Sequence, residues 1–107
     1  MTVKRVWRGW TSRDGADAYE HVLLTQVIPG IEAMGISGFR GIEVLREDQG
    51  DEVEFSTVMT FDRIDDVVAF QGPDYARAYV PESARAVLTR WDETSRHYEV
   101  REVRRYD

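Results

Sequence analysis

Apolar and polar residues alternate at the start of the chain, then recur every three to four positions, then alternate again; each change of period marks a new element. Residues 3–11, VKRVWRGWT, read as a strand. One face carries Val3, Arg5, Trp7 and Gly9, the other Lys4, Val6, Arg8 and Trp10. Each face holds a tryptophan, so both are expected to meet something, and Gly9 marks a close approach by a ring or backbone. From Gly15 to Ile28 the period becomes helical, with Ala16, Tyr19, Leu23 and Val27 on one stripe beside Val22, His21 opposite, and Ser12 or Asp14 as the cap. Pro29-Gly30 is expected to stop this helix, leaving a looser piece with Ile31 and Met34 that Gly35 and Gly38 close.

Residues 39–47, FRGIEVLRE, and 52–61, EVEFSTVMTF, read as strands joined by the turn DQGD, the clearest hairpin in the sequence. The second of these places Val53, Phe55, Thr57, Met59 and Phe61 on one face. Asp62 is expected to cap a second helix with Asp65 and Asp66 in its first turn, ended by Gly72-Pro73. Tyr75 to Tyr79 has the spacing of one helical turn, which would put both tyrosines on one side and turn Arg77 away. Pro81 then suits the first position of a short helix to Leu88, and residues 94–103 alternate as the last strand before a loose tail.

Strand, helix, strand, strand, helix, strand is the split βαβ order. The expected fold is α+β and ferredoxin-like (βαββαβ), an antiparallel four-stranded sheet with helices on one face, in a single domain over residues 1–107. Helices on one face leave the other, with its apolar residues, in need of a cover. Two sheets stacked face to face would supply it, so a homodimer through the sheet face is expected.

Composition narrows the chemistry. A net charge of −6 with interleaved signs excludes the basic stripe that neutralises phosphates, so nucleic acid is not an expected partner, and an anionic membrane surface would repel the chain. No apolar run approaches the length of a membrane span, and the N-terminal residues lack a signal-peptide core, so a cytoplasmic location is expected. Without cysteine, thiolate catalysis and cysteine metal sites are excluded, and the two histidines, His21 and His97, stand too far apart in sequence to form a metal motif, so no metal is expected.

Few residues remain for a site. His97 is the best proton acceptor: Glu99 shares its strand face, and a carboxylate there would orient a general base with a pKa near neutrality. His21 reads as a solvated residue. Trp7, Trp10 and Phe61 could stack a flat ligand or simply pack, and Trp91 reads as loop packing. Arg5, Arg8 and Arg40 alternate with apolar strand residues; one pointing inward could hold an oxyanion, but cross-strand pairing with Glu43, Glu52 and Glu54 is the commoner fate.

Taken together, VWRGWT, ADAYEHVLLTQVIPG, GIEVLREDQGDEVEF, TFDRIDDVVAF, DYARAYVPE and HYEV resemble the antibiotic biosynthesis monooxygenase-like family of the dimeric α/β-barrel superfamily, from about Val3 to Val103. The resemblance implies a homodimer whose sheets form a barrel, with a small pocket in each subunit between sheet and helices. It implies oxygenation of an aromatic or quinone-type molecule without a cofactor: the deprotonated phenol reduces oxygen directly, inside a dry cavity with a few donors for the anion. On this reading Tyr79 and His97 are the catalytic candidates, and Trp7, Phe61, Tyr75 and Arg40 the substrate-binding ones. Three departures stand out: the chain has no asparagine, Phe61 occupies the family's tryptophan position, and Tyr79 stands where a haem-degrading branch has its histidine ligand. They argue against haem degradation, and they favour the alternative reading, a non-catalytic small-molecule-binding or structural homodimer.

Overall fold

The computed structural model describes residues 1–107. Strand β1 (Val3–Ser12) occupies the middle of the sheet because both its edges find partners. On one side lies β3 (Glu52–Phe61), antiparallel from Val3 opposite Phe61 to Ser12 opposite Glu52, with β2 (Phe39–Asp48) beyond it. On the other side two short strands share the edge, β4 (Arg90–Trp91) and β5 (Arg96–Glu99). The order β2-β3-β1-β4, with β5 continuing the β4 edge and every pairing antiparallel, is the expected ferredoxin-like sheet. No helix is long and apolar enough to cross a membrane.

Alternation along β1 and β3 divides the sheet into two surfaces. Val3, Arg5, Trp7, Val53, Phe55, Thr57, Met59 and Phe61 are buried on the helix side. Tyr19 packs edge-on against Phe55, with ring centres 4.9 Å apart, and pins the first helix to the hairpin. The opposite face has no cover. Trp10 points there yet is buried, because Arg90 lies 3.9 Å and Arg8 5.2 Å from its ring and Gln49 accepts its N–H. Register gives this face an electrical polarity: Glu47, Glu54, Trp10 and Arg90 form one cross-strand row, Glu43, Val58, Val6 and Arg96 another. Acids line the β2–β3 half and bases the β1–β5 half.

Pro29 does not stop the first helix. α1 (Ala16–Val22), a π-helical stretch (Leu23–Val27) and α2 (Ile28–Glu32) form one rod. A proline in mid-helix has no N–H, and its ring collides with the carbonyl four residues back. Here the Ile28 N–H reaches back to the Leu23 carbonyl, and this wider turn just ahead of Pro29 makes room for the ring. The rod ends where Gly35 adopts φ +65°.

Other boundaries shift for local reasons. α3 (Ile64–Gln71) starts at Arg63, whose N–H donates to the Asp66 carboxylate, because the Asp62 carboxylate is held by Arg40. α4 (Glu82–Arg85) is a single turn after Pro81. Residues 75–79 form no helical turn, because their backbone groups bond elsewhere: the Ala78 N–H to the Glu93 carbonyl, and the Ala76 carbonyl to the Ser95 N–H. The same pairing draws residues 93–95 away from β1 and splits the last strand, which ends at Glu99 rather than at residue 103.

Gly9 shows the expected close approach. A methyl group there would lie 2.5 Å from Trp7 Cη2 and 3.0 Å from Leu88 Cδ2. The Gly9→Ala variant is therefore expected to lose about 1–3 kcal/mol of stability, since an indole and a core leucine must both move. Urea denaturation checks this; an unchanged midpoint would show that the Trp7 ring is loosely held.

Candidate functional site

Between the helical rod and the sheet lies a cavity of about 30 Å³. Its walls are chiefly apolar: Tyr19, Leu23, Val27 and Ile31 descend from the rod, spaced four apart, and Trp7, Ile42 and Met59 rise from the sheet. Phe70, Tyr79, Val80 and Pro81 close the side. Leu23 and Val27 belong to the π-helical stretch, so the device that admits Pro29 also shapes the cavity wall.

The charged member is Arg5, beside the polar Thr57 and Ser95. It is 2% exposed, and no carboxylate reaches it. Nη1 donates to the Tyr75 carbonyl and, at 2.9 Å, to His97 Nε2; Nη2 donates to the Arg77 carbonyl at 2.9 Å. Its guanidinium lies 5.3 Å from the centre of the Phe70 ring. Burial lowers the Arg5 pKa to about 10, which still leaves it protonated at neutral pH. Ser95 also lines the cavity; it is 5% exposed and its hydroxyl has no hydrogen-bond partner. Burial pushes the Tyr19 hydroxyl up, so it stays neutral.

A second, open cleft of about 480 Å³ lies on the far side of Arg5, lined by Val3, Arg63, Asp65, Tyr75, His97 and Glu99 among others. The candidate residues divide between these two spaces. Trp7 and Tyr79 face the cavity; the Trp7 N–H donates to the Asp92 carbonyl, and the Tyr79 ring meets Phe70 edge-on at 5.1 Å. Tyr75 and His97 face the cleft, ring against ring at 5.1 Å. The two tyrosines thus do not share a side, as one helical turn would have required. Phe61 is fully buried between Phe39 and Phe70, behind the cavity wall. Arg40 sits on a bulge of β2 and holds Asp62 by two hydrogen bonds at 2.9 and 2.6 Å, at the surface and away from the cavity. His21 is exposed on the outer side of the rod, as expected.

His97 is not the near-neutral base its spacing from Glu99 had promised. Burial, and then the positive charge of Arg5, lower its pKa to about 4. A guanidinium only donates, so Nε2 accepts and the neutral ring carries its proton on Nδ1. Glu99 lies near Arg101 instead. Of the three strand arginines Arg5, Arg8 and Arg40, one of which could point inward to hold an oxyanion, Arg5 is the buried one. The signal was present: Arg5 lies between Val3 and Trp7 on one face, whereas Arg8 shares a face with Lys4.

No protein-family model matches the sequence, and no curated protein matches it. Solved structures match over nearly the whole chain. A Bacillus cereus protein, provisionally described as an antibiotic biosynthesis monooxygenase, superposes with a TM-score of 0.64 at 11% identity, covering 98% of each chain. SnoaB of Streptomyces nogalater, described as a cofactor-independent oxygenase, gives 0.56 at 21% identity over 95% of each chain. Rv0793 of Mycobacterium tuberculosis gives 0.56 at 17% identity over 100% of each. The chain shares their fold, in agreement with the family resemblance read from its residues.

The depressed His97 pKa has a consequence for stability. Between about pH 4 and the unfolded value of 6.5 the unfolded chain binds a proton that the native protein does not. This contribution is therefore full above pH 6.5 and is lost as the pH falls toward 4. NMR of the His97 ring should show its inflection near pH 4, and His97→Gln, which keeps an acceptor for Arg5, should flatten that part of the stability profile. The same slope in His97→Gln would place the pH dependence on other groups.

Proposed function

We propose that this chain is a member of the antibiotic biosynthesis monooxygenase-like family, acting without a cofactor on an aromatic or quinone-type small molecule bound between the helical rod and the sheet. The observation that carries the reading is the cavity itself: a largely apolar space around one buried, uncompensated cation, in a fold shared with a cofactor-independent oxygenase. Such a site favours a substrate that ionises. A positive charge in a low-dielectric pocket favours the ionised form of an acidic group on the bound molecule. The reaction then balances without an external reductant. A ring methylene, in its enolate form, transfers electrons to O2; a C–O bond forms and the O–O bond breaks. One oxygen remains as a carbonyl and the other leaves as water, with four electrons lost by carbon.

A cavity of about 30 Å³ holds a water or two rather than a ring. In this reading the substrate enters by displacing the Tyr79–Pro81 wall. That wall belongs to residues 72–81, which carry no helix or strand beyond one isolated bridge. His97 sits at the cleft side of Arg5 as a neutral acceptor and positions the guanidinium; in this reading it contributes to catalysis through Arg5. The tightness of the cavity, and the lack of any carboxylate or histidine on its walls, favour the second reading, a homodimer that binds a small molecule, or none, without chemistry.

Either reading includes a homodimer through the open sheet face. Its acidic and basic halves would match when a two-fold axis lays one copy across the other, and the half-exposed Leu45 and Tyr98 would be covered.

The protein should therefore sediment at twice its 12.4 kDa mass at micromolar concentration; a monomer would defeat the barrel arrangement. Hydroxyanthraquinone-like compounds should quench tryptophan fluorescence saturably, and Trp7→Phe should remove most of that signal. Oxygen uptake with reduced members of the panel separates the two readings: saturable binding without uptake selects the non-catalytic one.

A further inference from the structure

We propose that the cavity takes its aromatic ligand through a carboxylate, held by the Arg5 guanidinium and the Ser95 hydroxyl. The proposal rests on the preceding reading that a flat aromatic molecule occupies this space, and it adds the chemical group by which the molecule is recognised.

Three observations lead to it. The first is charge. Arg8, Arg40, Arg46 and Arg90 each meet a carboxylate at the surface, at 2.6–2.9 Å. Arg5 is the buried arginine, and its partners are two carbonyls and a neutral imidazole, none of which carries a charge. A desolvated cation surrounded by dipoles alone gains most from a full negative charge. None of the residues lining the cavity is acidic, so the charge has to arrive with the ligand.

The second is geometry. A guanidinium has five N–H donors. Three are engaged, two on Nη1 and one on Nη2, which leaves Nε–H and one Nη2–H. Two neighbouring donors on a planar fork suit the two coplanar oxygens of a carboxylate better than the single oxygen of a phenolate.

The third is independent of Arg5. The Ser95 hydroxyl lines the same cavity, buried and without a partner. A buried hydroxyl left unpaired is destabilising, and native structures seldom keep one without reason. A water could satisfy it, but a water would leave the Arg5 charge unmatched. A carboxylate serves both groups. The rest of the lining, Trp7, Leu23, Ile42, Met59 and Phe70, then receives the apolar body.

The test uses benzoate and 1-naphthoate against their neutral carboxamides, titrated at pH 7 by calorimetry and by tryptophan fluorescence. The carboxylates should bind at least about tenfold tighter than the amides, as a charge-assisted pair requires. Arg5→Gln should remove that preference. Because Arg5 also ties residues 75–77 to the sheet, its replacement can cost the fold, which the thermal transition reports, so Ser95→Ala is the second variant. It should keep or raise the melting temperature, since it deletes an unpaired hydroxyl, while weakening naphthoate about three- to tenfold. A purely structural Arg5 would not move a further readout, the His97 titration by NMR. His97 faces Arg5 on β1, Tyr75 in the connecting segment, Arg63 and Asp65 at the start of α3, and Glu99 on its own strand. Of these only Arg5 would be neutralised by a ligand in the cavity, so bound naphthoate should raise the His97 inflection. Equal binding of acid and amide, or naphthoate affinity unchanged in Ser95→Ala, overturns the proposal. If neutral hydroxyquinones bind and naphthoate does not, the carboxylate inference fails alone; if neither binds, the ligand-binding reading fails with it.

Discussion

The buried guanidinium of Arg5 is the constraint around which the site is arranged. It stands on the central strand and reaches two carbonyls of the segment that follows α3 and one ring on the edge strand. Those three contacts fix where residues 75–77 run, and so which way Tyr75 and Tyr79 face. They also make Arg5 a partition, with the small cavity on one side and the cleft holding His97 on the other. Desolvating a charge is costly, and three neutral acceptors offset only part of that cost. The position therefore holds a structural clamp and an unmet electrostatic demand in one side chain.

Much of the fold was legible because burial here follows simple periods. β3 alternates buried and half-buried along its whole length, as its sequence does, and the stripe Tyr19, Leu23, Val27 is the buried side of the rod. The failures came where a tertiary contact outweighed a local rule. Pro29 predicts a helix end from steric grounds that hold for an α-turn; one wider turn removes the clash, and Ile31 stays on the buried stripe beyond it. Residues 94 and 95 alternate as strand, but the Ser95 N–H goes to the Ala76 carbonyl and the Glu93 carbonyl takes the Ala78 N–H, pairings that no reading of either segment alone could supply.

The site was less legible for the same reason. Trp7 and Tyr79 reach the cavity, but Tyr75 was assigned to it through a helical turn that the backbone does not form. Phe61 is core and Arg40 is a surface partner of Asp62. In both, residue type pointed to chemistry and position decided otherwise. His97 has the right type but the wrong charge state, because its titration depends on a cation contributed by a strand more than ninety residues away in sequence. Arg5 could have been found by asking which charged residue lies in register with two buried apolar neighbours, a question of burial rather than motif.

The two sides of Arg5 also explain how a tight cavity and a ligand are compatible. The Arg5 hydrogen bonds hold residues 75 and 77, while Tyr79 to Pro81 lie past them, held by the Ala78 N–H on the Glu93 carbonyl, by Tyr79 on Phe70, by the Arg85 side chain on the Val80 carbonyl and by the burial of Val80. The wall can therefore move without releasing the charge that would hold an anion. An opening of this kind breaks the Tyr79–Phe70 contact, worth about 1 kcal/mol beyond its area, and exposes the buried Val80, a further ~1.5–3 kcal/mol. Two charge-assisted hydrogen bonds to an unpaired buried cation, at ~1.5–3 kcal/mol each, offset a loss of that size. On the proposed reading the closed form is therefore the resting state, and the ligand's own charge drives it open.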